Sequence, residues 1–311
     1  MNVKQLRCIL EVVRCGLSIS QAAEKLNTVQ PGISTQIKLL EEELGTKIFQ
    51  RHGRRLVGTT PAGEHIIQVA NEIVCRMDDL RHISTDYVNQ TSGCFSIATT
   101  HTQARYVLPS VISAFTQQFP DVRLTIQQGS PSQICDLVVD GQADIAIATE
   151  HITQYTELVT IPLYNWNRCI VAPPEHDIFQ YDPVSLEQLA EYPILTYDFS
   201  YAGRSLIQKA FSDEKLDPKV ILTAMDSDVI KCYVELGLGV GILASMAYDE
   251  QKDTSLRFMN ADHLFPQSTC FVGLRKGGYI RKFMYKFIEM LSPKLNGDVI
   301  KMHFETEKTT A

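Results

Sequence analysis

Apolar residues recur three and four positions apart over the first ninety residues, then give way to short extended runs. Leu6, Ile9, Leu10 and Val13 mark one face of a first helix within 1–16. Ala22, Ala23 and Leu26 mark a second, with Ser20 as its N-cap. Ile33, Ile37, Leu40 and Leu44 mark a third, separated from the second at Asn27-Thr28 and stopped at Gly45. Two short helices joined by a tight turn match the helix-turn-helix, whose second helix enters the major groove of DNA. A helical hairpin in an ordinary bundle is the plainer alternative. Extended runs on either side of His52-Gly53 predict a small hairpin carrying Arg51, Arg54 and Arg55. Beside a helix-turn-helix that hairpin reads as a wing against the DNA backbone; otherwise it is a solvated basic loop.

Thr60-Pro61 opens a long helix, Thr60 as cap and Pro61 at the first helical position. Ile66, Ala70, Ile73, Met77 and Leu80 alternate by four and three, the spacing of a coiled-coil seam. The seam predicts pairing with a second copy, unless the helix lies on its own domain. After the polar stretch Asn89-Gln90-Thr91-Ser92-Gly93, strands alternate with helices. Strands are expected at 95–98, 122–127, 144–148, 164–172, 193–197, 220–223, 240–244 and 271–274. Helices are expected at 102–119, 130–140, 186–190, 203–211, 228–235 and 280–290, and 305–311 as a frayed tail. Such alternation builds parallel sheets by crossovers, here as two α/β lobes around a cleft.

Charge changes the picture. The net charge of -7 speaks against a DNA partner. Its distribution reverses that: Met1 to Thr60 holds nine Lys/Arg against five Glu, while the chain after Gln90 holds 18 basic against 26 acidic residues. A basic head can grip phosphate on an acidic body. The eight cysteines show no CxxC or metal-ligand spacing, which predicts reduced thiols and no metal. No apolar run is long enough to span a membrane, and the amphipathic start is unlike a signal peptide, so a cytoplasmic location is expected.

The informative stretch of the body is Thr99-Thr100-His101-Thr102-Gln103-Ala104-Arg105, where a strand hands over to a helix at the carboxyl edge of the sheet. Thr100 and Thr102 offer hydroxyls, Gln103 an amide, and the helix start free N–H groups. Gly129-Ser130-Pro131 and Thr149 stand at equivalent loops, so three loops converge on one rim suited to a small anion. The plainer alternative is that these residues only cap helices. His101 invites a catalytic reading, but no nucleophile with a positioned base accompanies it. Gly237-Leu238-Gly239-Val240-Gly241 lacks dinucleotide-loop spacing and reads as a turn.

With these residues in view the chain resembles the LysR-type transcriptional regulators from end to end. Ser20-Gln21-Ala22-Ala23, Gln30-Pro31-Gly32-Ile33-Ser34, Leu40-Glu41-Glu42-Glu43-Leu44-Gly45 and Thr59-Thr60-Pro61-Ala62-Gly63 are similar to that family's head signature. Ala98 to Tyr106, Gln128-Gly129-Ser130-Pro131 and Trp166-Asn167-Arg168 resemble its CysB/Cbl group, which governs sulfur assimilation, and favour the cysteine-regulon side of it. The resemblance implies a winged helix-turn-helix over 1–59, a linker and dimerisation helix with hinge over 60–89, and an effector body over 90–311. That body is periplasmic-binding-protein-like, with one lobe at about 90–163 and 268–311 and the other at about 164–267.

The resemblance also implies a homodimer or homotetramer on double-stranded promoter DNA, working with RNA polymerase. No cofactor is implied. A small effector, acetylserine or a sulfate-like anion, would sit against Thr100, Thr102, Gln103, Ser130, Thr149 and position 202. Bases and phosphates would be met by Ser20, Gln30, Pro31, Ser34, Thr35, Lys38, Arg51, Arg54 and Arg55. Three positions depart from the group: Ala202 stands for a threonine, Val29 for Ser/Thr, and Thr35 for a frequent basic residue.

Overall fold

The computed structural model describes residues 1–53, 55–88, 91–198 and 202–306. It divides into two compact units, Met1–Ser84 and Thr85–Ala311.

The first unit begins with α1 (Val3–Arg14), α2 (Ile19–Lys25) and α3 (Gln30–Leu44). An Asn2–Gln5 capping box starts α1. Ser18, not Ser20, caps α2: its side chain accepts from the Gln21 amide, and the helix starts at Ile19. Both serines precede the apolar positions, so the pattern alone did not separate them. Val29 enters α3 without a side-chain cap, and Gly45 ends it in the left-handed region. Ile33, Ile37 and Leu40 are fully buried against Ile9 and Val12 of α1 and Ala22 of α2. Each such aliphatic side chain contributes about 1.5–3 kcal/mol. The hairpin follows as β1 (Phe49–His52) and β2 (Arg55–Thr59), antiparallel.

The long helix α4 (Pro61–Val88) corrects the expected seam. Ala70 is buried and Ile66 half-buried in the head's own core, joined there by Val74. Residues 61–84 therefore belong with the first unit, and not with a separate linker from 60. The apolar stripe left open is rotated: Val69 and Ile73, then Leu80 and Tyr87 one and two heptads on, are exposed. Of the expected positions, Ile73 and Leu80 lie on it.

The second unit holds two five-stranded sheets. The first comprises β3 (Ser92–Thr99), β4 (Asp121–Gln128), β5 (Ile145–Ala148), β6 (Leu158–Trp166) and, returning late, β12 (Ser268–Arg275). A π-helical turn at Gln103–Val107 leads into α5 (Leu108–Gln118); α6 (Pro131–Val139) follows β4. The second sheet comprises β7 (Arg168–Ala172), β8 (Ile194–Tyr197), β9 (Val220–Ala224), β10 (Val240–Ala244) and β11 (Arg257–Asn260). Its helices are α7 (Leu186–Ala190), α8 (Ala202–Asp213) and α9 (Ser227–Glu235). The chain ends with α10 (Lys282–Leu291) and α11 (Gly297–Thr306).

Expected and observed elements differ in places. The chain crosses between sheets at Asn167, so 164–166 belong to the first lobe. β11 was not foreseen: Arg257-Phe258-Met259-Asn260 shows no clean alternation because it is an edge strand paired only with β7. Nor was α11, where Ile300 and Phe304 pack into the first lobe's core and carry helix into the expected tail. Phe95, Phe115, Phe283 and Phe287 form the centre of that core, with Phe95 edge-on to Phe287 at 5.1 Å.

Candidate functional site

The head presents a concave face where the helix-turn-helix meets the hairpin. Ser20, Gln30, Pro31, Ser34, Arg51 and Arg55 line a groove of about 930 Å³ between the start of α2, the start of α3 and the hairpin. Proximity follows from the turn: the Gln30 side-chain amide donates to the Ser20 hydroxyl, locking the two helix starts together. Arg51 and Arg55 are exposed on neighbouring strands, with Gly53 at the tip in the left-handed region. Thr35 and Lys38 are exposed further along α3 and do not line the groove; Lys38 pairs with Glu42 at 3.5 Å. Arg54 lies outside the described residues. Arginines beside an open helix N-terminus can hold phosphate oxygens while the exposed Gln30 and half-buried Ser34 reach base edges.

In the second unit a small cavity, about 30 Å³, opens between the two sheets' lobes. Thr100, Thr102, Gln103 and Thr149 of the first lobe line it, with Trp166 at the end of β6 and Tyr197 and Ala244 of the second lobe. Helix capping does not explain its threonines. Thr102 precedes the π-helical turn and Thr149 a 3-10 turn, and neither side chain makes a cap hydrogen bond. Ser130 behaves otherwise: its hydroxyl caps α6 by accepting from the Gln133 amide at 3.4 Å, and it does not line the cavity. The Ala202 side chain lies outside the described residues.

The lining is built to donate. Gln103 is buried, and its side-chain oxygen accepts from the Tyr164 hydroxyl, which leaves the amide's N–H₂ end for a ligand. Burial pushes the Tyr164 and Tyr197 phenols up, so both remain protonated donors at neutral pH. The Tyr197 hydroxyl is fixed by the Ala244 amide, which donates to it at 3.0 Å, and by Ser227 Oγ at 2.8 Å. Trp166 is 9% exposed, and its Nε1–H has no protein acceptor. An unsatisfied buried donor is costly unless a ligand or water takes it. Among the described residues, none that lines the cavity carries a charge. Neutral donors converging from hydroxyls, an amide and an indole can hold a compact oxyanion.

Sequence reasoning singled out four of the residues that line the cavity and missed Trp166, Tyr197 and Ala244. Each stands at or near the end of a strand, the one signal that could have marked them. His101 Nε2 lies 3.0 Å from Asp226 Oδ2, an ion-pair geometry and not a base set on a nucleophile. Among the described residues, no His/Cys/Asp/Glu cluster could hold a metal and no helix is long and apolar enough to cross a membrane.

Comparison with known proteins agrees with this geometry. Residues 3–64 match the family model for the bacterial regulatory helix-turn-helix protein of the lysR family, and residues 89–296 the LysR substrate binding domain. The chain belongs to the LysR family. It is 47% identical to the HTH-type transcriptional regulator SsuR of Burkholderia cenocepacia, over 95% of this chain and 96% of the relative. It is 44% identical to CysB of the same organism, over 99% and 98%. The crystal structure of the cofactor-binding domain of the Cbl transcriptional regulator superposes with a TM-score of 0.67 at 42% identity, covering 70% of this chain and 95% of that one. This LysR-family protein is thus a DNA-binding transcriptional regulator of CysB, Cbl and SsuR type, not an enzyme, and its body binds a small molecule. The expected lean was toward CysB over Cbl, and the identities set CysB at 44% beside SsuR at 47%.

Proposed function

We propose that the protein regulates genes of sulfur acquisition, chiefly as an activator of sulfate assimilation and cysteine synthesis, under control of a small sulfur-pathway oxyanion or acetylserine held between its lobes. The observation that carries this is the cavity: Thr100, Thr102, Gln103, Thr149 and the unpartnered Trp166 Nε1–H converge on a space too small for a large effector. Gln30, Ser34, Thr35 and Lys38 read half-sites, while Arg51, Arg54 and Arg55 hold phosphates. Copies pair through the open stripe of α4 and assemble as dimers or tetramers in the cytoplasm, where RNA polymerase is the partner at the promoter. Ligand-linked change of lobe closure alters head placement and DNA bend, to the extent that the ligand prefers one arrangement.

A second reading is regulation of organosulfonate use, favoured by the 47% identity to SsuR. A thermal-shift panel of sulfate, thiosulfate, O-acetylserine, N-acetylserine and adenylylsulfate, followed by gel shifts with each hit, tests both. Stabilisation by at least one, with a changed gel shift, is expected. No response to any of them overturns the sulfur assignment.

A further inference from the structure

The tripeptide Asp226-Ser227-Asp228 at the start of α9, on the second lobe, meets four consecutive-turn side chains of the first lobe. Asp226 Oδ2 lies 3.0 Å from His101 Nε2. Ser227 Oγ lies 3.5 Å from Thr102 Oγ1 and 2.8 Å from Tyr197 OH, two cavity residues. Asp228 accepts from Arg105 Nε at 3.3 Å and from the Tyr106 hydroxyl. Behind it the buried Lys231 ammonium lies 3.1 Å from Asp228 and donates to both Asp253 oxygens at 2.9 and 3.0 Å and to the Ala247 carbonyl at 2.9 Å. It also sits 5.3 Å from the Tyr106 ring centre.

We propose that Asp226-Ser227-Asp228 is the clasp that holds the two lobes closed over the ligand, with Asp228 and its partners Arg105 and Tyr106 as positioning residues for closure. The inference rests on the reading of the cleft as the effector site. Ser227 is the link: it is fully buried and hydrogen-bonded to lining residues from both lobes, while the carboxylates on either side of it grip the first lobe. A ligand that draws Thr102 toward Tyr197 therefore draws the clasp shut, and opening the clasp separates the two walls of the site. Lys231 and Asp253 keep the second-lobe half preformed, because the Lys231 bonds to Asp253 and the Ala247 carbonyl lie within that lobe. Burial alone would raise the Asp228 carboxyl, but Tyr106, Lys231 and Arg105 hold it below the usual carboxylate range. Arg105 and Asp228 remain 60% and 39% exposed in their side chains, and ion pairs of that exposure are weak enough to reopen.

The test uses the whole chain and the variants Tyr106→Phe and Arg105→Gln, the second at a largely exposed side chain. Backbone hydrogen exchange is followed over 101–108 and 226–236, and sulfate binding by calorimetry, with Thr100→Val as the variant of the site itself. Faster exchange in both segments and about fivefold weaker sulfate binding are expected, with gel-shift affinity of the ligand-free protein unchanged. Unchanged exchange overturns the clasp. So does faster exchange with unaltered affinity in a protein that binds sulfate. Should the wild type bind no sulfate while the variants still exchange faster, the clasp stands and the reading of the cleft falls.

Discussion

Lys47 Nζ lies 2.9 Å from Glu41 Oε2, and the carboxylate it meets is almost wholly buried at the end of α3. The other oxygen, Oε1, accepts from the Ile48 and Phe49 amides at 3.0 and 3.3 Å, pinning the entry to the hairpin. Burial would raise this carboxyl, yet the Lys47 bond and the two amides hold it below its ordinary value of 4.5. A folded-state pKa below the unfolded one gives stability that is present above pH 4.5 and is lost as pH falls through the folded value. The head's calorimetric transition should therefore drop below that pH. Glu41→Gln should lower the transition at pH 7 and flatten the drop. Glu41→Ala, which strands two buried N–H groups, should cost about 2–4 kcal/mol.

Gly63 stands in the first turn of α4 beneath the Ile48 carbonyl, where an added Cβ would fall 2.0 Å from that oxygen. Helix propensity favours alanine by about 1 kcal/mol. The clash is with backbone and cannot be relieved by a rotamer, so it wins. Thermal melts of Gly63→Ala should show destabilisation of about 1–3 kcal/mol; a stabilised variant would mean the hairpin can withdraw.

The chain has a single tryptophan, and it lines the cavity proposed for the effector. Intrinsic fluorescence should therefore report ligand entry directly. Trp166→Phe keeps the ring's packing and removes the donor, so calorimetry should read effector binding about tenfold weaker for a charge-assisted bond. Equal affinity would place the ligand elsewhere.

Arg51 and Arg55 line the head's groove, where we propose that they contact phosphate. Replacing either with alanine should weaken binding to all DNA sequences alike and lower the slope of log K against log salt by about 0.9. Gln30→Ala should instead relax sequence preference at one position, read by binding-site selection, with the slope retained.

The head was legible because each helix buries one periodic face, so Ile33, Ile37 and Leu40 announced both element and core. The seam on α4 was only half legible. Apolar spacing says that a face is buried, not by what, and Ile66 and Ala70 are consumed by the head itself while Val69 and Tyr87 stay open. In the body, Thr100, Thr102 and Gln103 were found because they crowd one strand-to-helix loop. Trp166, Tyr197 and Ala244 are far apart in the chain and meet only when two sheets face each other. The clasp was invisible for the same reason: nothing in Asp226-Ser227-Asp228 announces that its partners stand more than a hundred residues earlier.

The helix α4 runs unbroken for 28 residues, and beyond its first turn it contains neither proline nor glycine. At 1.5 Å per residue it is a rod of about 42 Å. Its last turn is fastened to the second unit, where the Tyr279 hydroxyl donates to the buried Asp86 carboxylate at 3.1 Å. Sharp bends in long helices form at proline, glycine or a bulge, so this rod carries no built-in kink point beyond its first turn.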